Sequence, residues 1–199
     1  MLSTACTFLP QPSHYVTATT PDYDATVAAR VRILSGNDSQ TASYEKDSVC
    51  YRNVLDGNPN TVRVDDGFFA AYKYSSHSIT IGMPPSPRPW MRTDGLRFKD
   101  MIKEYVVDGG KPMTISMSVS NSVGDNRTGG WSTSCTPPSV TFTPTAGHDY
   151  DVFMDGDGRR CWISARQIDE KGLDELVRLE RAPKCAADAI RATSVPSTH

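Results

Sequence analysis

The sequence has no apolar run near the roughly 18–20 residues that a membrane-spanning helix needs, so none of its 199 residues predicts a bilayer crossing. It also lacks a basic excess: 21 Lys and Arg face 23 Asp and Glu, giving a net charge of −2. A nucleic-acid-binding domain normally carries such an excess, so we expect no nucleic-acid partner. Present instead are 38% hydrophobic residues, enough for a globular core, and 14 prolines with 14 glycines, which favour turns over long helices.

The motifs that accompany catalysis are scarce as well. The chain has four histidines, no Gly-x-Ser-x-Gly motif and no glycine-rich phosphate loop followed by Lys-Ser or Lys-Thr. The acidic run from Asp149 to Asp157 lacks the closing Glu of a calcium loop, since Arg159 and Arg160 follow it. We therefore predict a non-catalytic protein without metal or cofactor. One alternative stays open, an enzyme acting on cell-wall or glycan substrates through carboxylates such as Asp149 and Asp151.

Four of the five cysteines form an even set: Cys50, Cys135, Cys161 and Cys185. None lies in a Cys-x-x-Cys motif or at zinc-ligand spacing from a histidine, which disfavours a zinc site. Two disulfides in an oxidising compartment such as the periplasm are predicted. Of the three possible connectivities we favour Cys135–Cys161, which brackets a predicted hairpin, and Cys50–Cys185, which ties the end of the chain to its early strands. Buried free thiols in a cytosolic protein are the alternative.

The fifth cysteine, Cys6, follows Leu2-Ser3-Thr4-Ala5, and this segment resembles the end of a bacterial lipoprotein signal peptide. In such peptides small residues precede a cysteine whose thiol receives a diacylglycerol, so the resemblance implies lipidation of Cys6. The segment departs from the pattern at Ser3, where a large aliphatic residue is usual. Five residues cannot supply the charged start and the apolar stretch of about 7–15 residues, so we expect a start further upstream or a trimmed chain. An ordinary tail cysteine is the alternative.

Short segments with period-two alternation predict a chain built mainly of strands. Across Thr26–Leu34, apolar residues alternate with Ala28, Arg30 and Arg32, and we expect the two arginines to face solvent. Further strands are predicted over Thr41–Lys46, Thr61–Val64, Phe68–Tyr74, Ser78–Met83, Lys111–Val119, Val140–Thr143, His148–Met154 and Arg160–Ile168.

Two segments are ambiguous. Arg97–Val107 places Phe98, Met101, Ile102 and Tyr105 at helical spacing, which favours a short helix. The segment Leu173–Arg181 fits a short helix or a last strand, and its alternation favours the strand.

Eight or nine short strands separated by turns predict an all-β protein, an antiparallel β-sandwich with at most one short helix and two disulfides. We expect three regions: a lipobox-like start and flexible tether over residues 1–24, the β-sandwich domain over 25–186, and a disordered tail over 187–199.

The order of several turns and strand ends matches a family. These are Ile81-Gly82-Met83-Pro84, Gly110-Lys111-Pro112-Met113, Phe142-Thr143-Pro144 and Ala146-Gly147-His148-Asp149-Tyr150, with Cys135 and Cys161 placed among them. Over about residues 26–185 the chain resembles small, mostly uncharacterised lipoproteins of Gram-negative bacteria. The resemblance implies a transthyretin-like or immunoglobulin-like sandwich, export, and a lipid anchor at the periplasmic face of the envelope, in the outer membrane. It supplies no catalytic residue.

Two loops have the composition of contact loops. Residues 84–95 carry four prolines and then Trp90 and Met91, while residues 120–134 carry Trp131 among glycines and small polar residues. Because Trp offers a large contact area at low entropy cost, Trp90, Met91 and Trp131 are the predicted binding residues. The alternative is that each Trp folds back over the end of a sheet.

Together these features predict an envelope lipoprotein that acts by binding another envelope or effector protein. The first hypothesis is an inhibitor or immunity-type protein against a periplasmic effector. The alternative is a structural or accessory component of a secretion or surface assembly.

Overall fold

The computed structural model describes residues 13–37, 40–53, 58–67, 75–123, 131–157 and 159–186. These residues form thirteen strands in two sheets, and the helical element among them is the short 3₁₀ turn Pro89–Met91. Within the same ranges no helix is long and apolar enough to cross a membrane. The prediction of a chain built almost wholly of strands is confirmed.

The first sheet has seven strands. In spatial order they are β1 (Ser13–Ala18), β5 (Ser75–Thr80), β6 (Asp100–Asp108), β2 (Ala28–Gly36), β10 (Asp149–Gly156), β11 (Cys161–Ile168) and β12 (Asp174–Leu176). Strand β2 lies at the centre, antiparallel to β6 and parallel to β10. Parallel pairing also joins β1 to β5 and β5 to β6. The sheet is therefore mixed, and the prediction of purely antiparallel pairing is wrong.

The second sheet has six strands, and all its neighbours are antiparallel. They are β13 (Glu180–Arg181), β9 (Val140–Phe142), β7 (Met113–Val123), β3 (Gln40–Lys46) and β4 (Thr61–Arg63), with β8 (Trp131–Cys135) paired to the second half of β7. Strand β7 organises this sheet because its long alternating run pairs with β3 along one edge and with β8 and β9 along the other.

One hydrophobic core is shared by the two sheets. Alternate residues of each central strand enter it, as period-two patterning requires, and Ile33 is among those with no solvent exposure. Two edge-to-face ring contacts connect the sheets: Tyr44 to Tyr105, with centroids 5.1 Å apart, and Phe142 to Tyr150, with centroids 5.4 Å apart. These contacts fix how one sheet lies on the other.

Residues 13–18, predicted to belong to a flexible tether, form strand β1. All six pair with Ser75–Thr80, and beyond them the Thr19 amide donates to the Thr80 carbonyl at 2.8 Å. Side chains add to this pairing, because His14 Nε2 lies 2.9 Å from Ser78 Oγ. The sequence missed β1 because five of its six residues are exposed, so the strand carries no apolar face to reveal its period.

The segment Arg97–Val107, for which a short helix was favoured, contains strand β6 instead. Tyr105 packs against the shared core, and the fully buried Met101 lies on the same side of the strand, whereas Ile102 lies on the opposite face under a covering loop. A strand buried on both faces loses its alternation, and its apolar residues then imitate helical spacing. The segment Leu173–Arg181 contains β12 and β13, which confirms the preference for strand. The predicted strand Phe68–Tyr74 lies outside the described residues.

Both predicted disulfides are present with the favoured connectivity. Cys135–Cys161 joins β8 of one sheet to β11 of the other, and Cys50–Cys185 closes a sequence separation of 135 residues. Two disulfides indicate an oxidising, non-cytoplasmic location. Cys6 lies outside the described residues.

Candidate functional site

The outer face of the seven-stranded sheet carries a row of alternating charges. Arg32 of β2 pairs with Glu104 of β6 on one side and with Asp151 of β10 on the other, and Asp151 in turn pairs with Arg166 of β11. The residues that flank Arg32 along its strand point into the shared core, so the row lies on the face turned away from the second sheet. Four neighbouring strands thus present negative, positive, negative and positive side chains in register.

Arg32 is the centre of this row. Its Nε donates to Glu104 Oε1 at 2.9 Å, its Nη1 to Asp151 Oδ1 at 2.8 Å, and its Nη2 to the Pro84 carbonyl at 2.7 Å. Arg32, Glu104 and Asp151 are 3%, 4% and 0% exposed. Charges at this depth persist only where every one is paired and hydrogen-bonded. The prediction that Arg32 faces solvent is wrong, because chain from elsewhere covers it.

The cover is the connection between β5 and β6, residues 81–99, which we call the β5–β6 loop. Because these strands are parallel neighbours, the chain must cross back over the sheet between them. The charged row anchors the start of this crossing: Glu104 Oε2 accepts the amides of Ile81 at 2.6 Å and Met83 at 3.3 Å. Two residues further on from Pro84, Ser86 Oγ donates to Asp151 Oδ2 at 2.5 Å. Main-chain groups of Ile81, Met83 and Pro84 and the side chain of Ser86 are therefore bonded to buried charges.

A second ion pair extends the row toward one end of the sheet. Arg30 donates through Nε and Nη2 to the two carboxylate oxygens of Asp149 at 2.6 and 2.8 Å, a bidentate arrangement that raises the pKa of Arg30. Arg30 Nη1 also holds the Gly82 carbonyl at 2.9 Å, and the Tyr23 ring lies 4.7 Å from the guanidinium carbon. Asp149, one of the two candidate catalytic carboxylates, therefore has both oxygens bonded to an arginine.

Burial and ion pairing act against each other on these carboxyls. Burial raises the pKa of Asp151, although the arginines beside it oppose the shift. Burial also acts on Asp174 at the β12 edge, but the hydrogen bonds from Arg166 and Arg88 prevail and lower its pKa. Since Arg88 Nη2 reaches Asp174 at 2.5 Å, the edge of the sheet holds the β5–β6 loop as well.

The second half of the β5–β6 loop is held by apolar packing. Met91 has no solvent exposure and lies in a small cluster with Leu34, Ile102 and Phe153. Each of these three is two residues along its strand from a member of the charged row. Trp90 contacts Phe153 edge to face, with ring centroids 5.0 Å apart, and stays 39% exposed. The loop therefore buries the side chain of Met91 and leaves the side chain of the preceding Trp90 partly exposed.

A second tryptophan projects from the same face. Trp162 of β11 is 42% exposed and alternates with Ile163, which enters the core. Its strand neighbour Ser164 pairs with Phe153, on which Trp90 packs. We call the exposed parts of Trp90 and Trp162 the tryptophan surface. Exposed groups of large apolar side chains often mark interaction sites.

The predicted binding residues have different outcomes. Trp90 combines both interpretations offered for it, since it packs over the sheet and remains partly exposed. Met91 is buried, so it supports the loop and cannot contact a partner; that prediction is wrong. Trp131 lies in β8, and its side chain is outside the described part of the chain. Trp162 was missed because its alternation marks a half-buried strand and gives no sign of which outward residue stays uncovered.

The histidines and carboxylates show no metal arrangement in the described ranges, where no group of three or more His, Cys, Asp or Glu side chains could hold an ion. His77 Nε2 bonds Thr17 Oγ1 at 2.7 Å, a contact between β5 and β1.

Comparisons with protein-family models, curated proteins and solved structures yield no match to this chain.

Proposed function

We propose that this protein is an exported, lipid-anchored binding protein whose partner contacts the tryptophan surface. The observation that carries the proposal is the attachment of the β5–β6 loop. Its main chain bonds the buried Arg32 and Glu104, and its Ser86 side chain bonds the buried Asp151, while Trp90 stays 39% exposed. A loop held in one conformation loses little entropy on binding, so its exposed Trp makes a strong contact.

The charged network is costly as a purely structural device. Replacing a buried ion pair by apolar residues of similar volume is often neutral or stabilising, so the network is weak evidence for stability alone. Its bonds are aimed at the amides of 81 and 83 and at the carbonyls of 82 and 84. Apolar side chains could not fix those groups, which supports a role in defining the loop's conformation.

We further propose the sandwich class, transthyretin-like or immunoglobulin-like, and a lipid on Cys6. The two disulfides and the core shared by two sheets support the class and the exported location. Cys6 is seven residues before Ser13, so a lipid there would hold the start of β1 within at most about 25 Å of a membrane surface. The partner is then another envelope protein or an effector that enters the periplasm, which the protein blocks as an inhibitor of the immunity type.

The test is site-specific photo-crosslinking in the organism that makes the protein. A photoreactive residue replaces Trp90 in one strain and Val49, 60% exposed in the connection between β3 and β4 of the other sheet, in a second. We expect one discrete protein adduct from position 90, none from position 49, and loss of the adduct when Arg32→Met is added. Absence of any adduct at position 90, or the same adduct at both positions, would refute binding through this surface. Protection from the captured protein's toxicity by the wild-type chain, and not by Trp90→Ala, tests the immunity role.

A further inference from the structure

We infer that the outer face of the six-stranded sheet holds a second site, a groove that binds an acidic glycan. It lies on the side of the molecule away from the tryptophan surface and does not depend on the function proposed there. Two adjoining hollows of about 400 and 630 Å³ form it, and they share Tyr51, Thr136, Pro137, Ser139 and Lys184.

The floor of the groove consists of serine and threonine side chains with hydroxyl groups. Thr41 and Ser43 of β3 pair with Ser118 and Ser116 of β7, and these four residues alternate with core residues, so their side chains point outward. Thr41 Oγ1 lies 2.7 Å from Ser118 Oγ, and Ser116 Oγ lies 2.7 Å from Ser139 Oγ. Each hydroxyl keeps acceptor capacity beyond that bond. A floor of short hydroxyl side chains matches the hydrogen-bonding groups of a sugar.

The walls are held by the two disulfides. Tyr51 and Lys184 follow and precede Cys50 and Cys185 directly, and their backbones form a parallel bridge. Thr136, which lines both hollows, directly follows Cys135, which is bonded to Cys161. Both covalent links therefore end at the groove, which is pre-formed as small-molecule sites usually are.

Positive charge collects at this groove although the chain as a whole carries −2. Its lining contains Arg52, Arg63, Arg181 and Lys184 and a single carboxylate, Asp65. Arg63 binds Asp65 through Nη2 at 2.9 Å, while its Nε is buried with no hydrogen-bond partner among the described residues.

Arg52 is paired as well, since its Nη1 donates to Glu45 Oε2 at 2.8 Å. Arg181 and Lys184 are the two cations left. Both are exposed, and neither forms an ion pair within the part of the chain that the structure describes. A focused positive potential of this kind attracts anions, and arginine binds carboxylate or phosphate with two parallel hydrogen bonds.

Cations, hydroxyls and one aromatic ring along an open groove select the class of ligand. An acidic peptide would use the cations alone, because its backbone needs an exposed strand edge and this floor is an interior sheet face. A glycan chain bearing carboxylates or phosphates uses all three, with a sugar face on Tyr51, ring hydroxyls on the serines, and anions on Arg181 and Lys184. The shared chemistry is a negatively charged oligosaccharide, of uronate or of sugar phosphate type.

The experiment titrates the oxidised protein with four probes by isothermal calorimetry at two salt concentrations. The probes are an oligogalacturonate, its carboxyl-reduced neutral form, a phosphomannan oligosaccharide and poly-glutamate. We expect at least one anionic glycan to bind, more weakly at high salt, with the neutral form and poly-glutamate at least about tenfold weaker. Whichever anionic glycan binds more tightly identifies uronate or phosphate as the recognised group.

Matched charge variants locate the site. The double variant Arg181→Gln/Lys184→Gln should lose about tenfold or more in affinity. The control Arg159→Gln/Arg160→Gln removes the same two charges from an exposed hairpin of the other sheet and should change affinity less than twofold. Trp90→Ala should have no effect, which separates this site from the tryptophan surface. Failure of both glycans to bind, equal loss in the two double variants, or poly-glutamate as tight as the glycans would overturn the assignment.

Discussion

Arg32 and Asp151 are 119 positions apart in sequence and meet at 2.8 Å, side by side on parallel strands and buried from solvent. Neither charge is tolerable alone at this depth, because each needs the other and the covering loop to satisfy its hydrogen bonds. The pair therefore links the central strands of the sheet to the conformation of a surface loop.

Removing one member of this network should be costly. We expect Arg32→Met to lower the free energy of unfolding by about 3–5 kcal/mol, because it leaves Glu104 and Asp151 buried without their partner. Lys111→Met is the control: Lys111 contacts Asp108 at 2.7 Å, but both side chains are more than half exposed, and the cost should stay below about 1 kcal/mol. Urea unfolding measures both. Equal costs would mean that the buried network is not a unit.

We expect Met91 to stabilise the β5–β6 loop and the neighbouring Trp90 to contact the partner, so alanine variants at the two positions should have different effects. Met91→Ala should cost about 2–5 kcal/mol of stability, since it empties a fully buried position among Leu34, Ile102 and Phe153. Trp90→Ala should cost less, because that side chain is 39% exposed, yet it should abolish partner capture. Thermal unfolding is measured on both variants, and partner capture is measured on both with the photoreactive residue at position 162 of the same surface. A more damaging effect of Trp90→Ala on stability would reverse the two roles.

The two disulfides should differ in their contribution. With loops of 135 and 26 residues, the chain-entropy relation gives about 5 kcal/mol for Cys50–Cys185 and about 3.5 kcal/mol for Cys135–Cys161. Paired Cys→Ser variants compared by denaturant midpoint check this order. If loss of Cys135–Cys161 is the more damaging, its role in joining the two sheets outweighs the constraint on the unfolded chain.

Stability should depend on pH through Asp100. Burial raises the pKa of Asp100 to about 6, with Arg97 opposing, so the folded state holds its proton more tightly than an unfolded chain with a pKa near 3.9. This group's contribution is full below about pH 4 and is lost as the pH rises through 6. Asp100→Asn should therefore add about 1–2 kcal/mol at pH 7.5 and almost nothing at pH 4, allowing for partial exposure. Unfolding curves at the two pH values decide, and an equal gain at both would exclude ionisation as the cause.

The proposed lipid anchor depends on Cys6 alone among the cysteines. In cells that make the protein from its native gene, Cys6→Ser should move the protein from the membrane fraction to the soluble fraction without changing its thermal unfolding. Cys50→Ser/Cys185→Ser should remain with the membrane. Persistence of Cys6→Ser in the membrane fraction would contradict a lipid on this residue.

Local patterning was sufficient for the strands that bury one face. The alternation in β3 and β7 predicted them within a few residues, because a half-buried strand must place apolar side chains at every second position. The alternation in β2 also predicted a strand, although the β5–β6 loop buries its outer face as well. The two disulfides also followed from sequence, since an even set of cysteines favours pairing. The hairpin expected between Cys135 and Cys161 is wrong, because its two strands, β9 and β10, lie in different sheets. Trp90 is partly exposed and packs on Phe153, and its role in binding stays a prediction.

Tertiary structure decided what depends on neighbours distant in sequence. Arg32 and Trp162 both alternate with core residues, yet one is buried and the other exposed, because the β5–β6 loop crosses one part of the sheet and not the other. That crossing exists only because β5 lies parallel to β6, and strand β1 exists only because β5 offers it an edge. Periodicity predicts on which side of its strand a residue lies. It does not predict which segment covers that side, because this depends on the order of the strands in the sheet, which is set by contacts between residues distant in sequence.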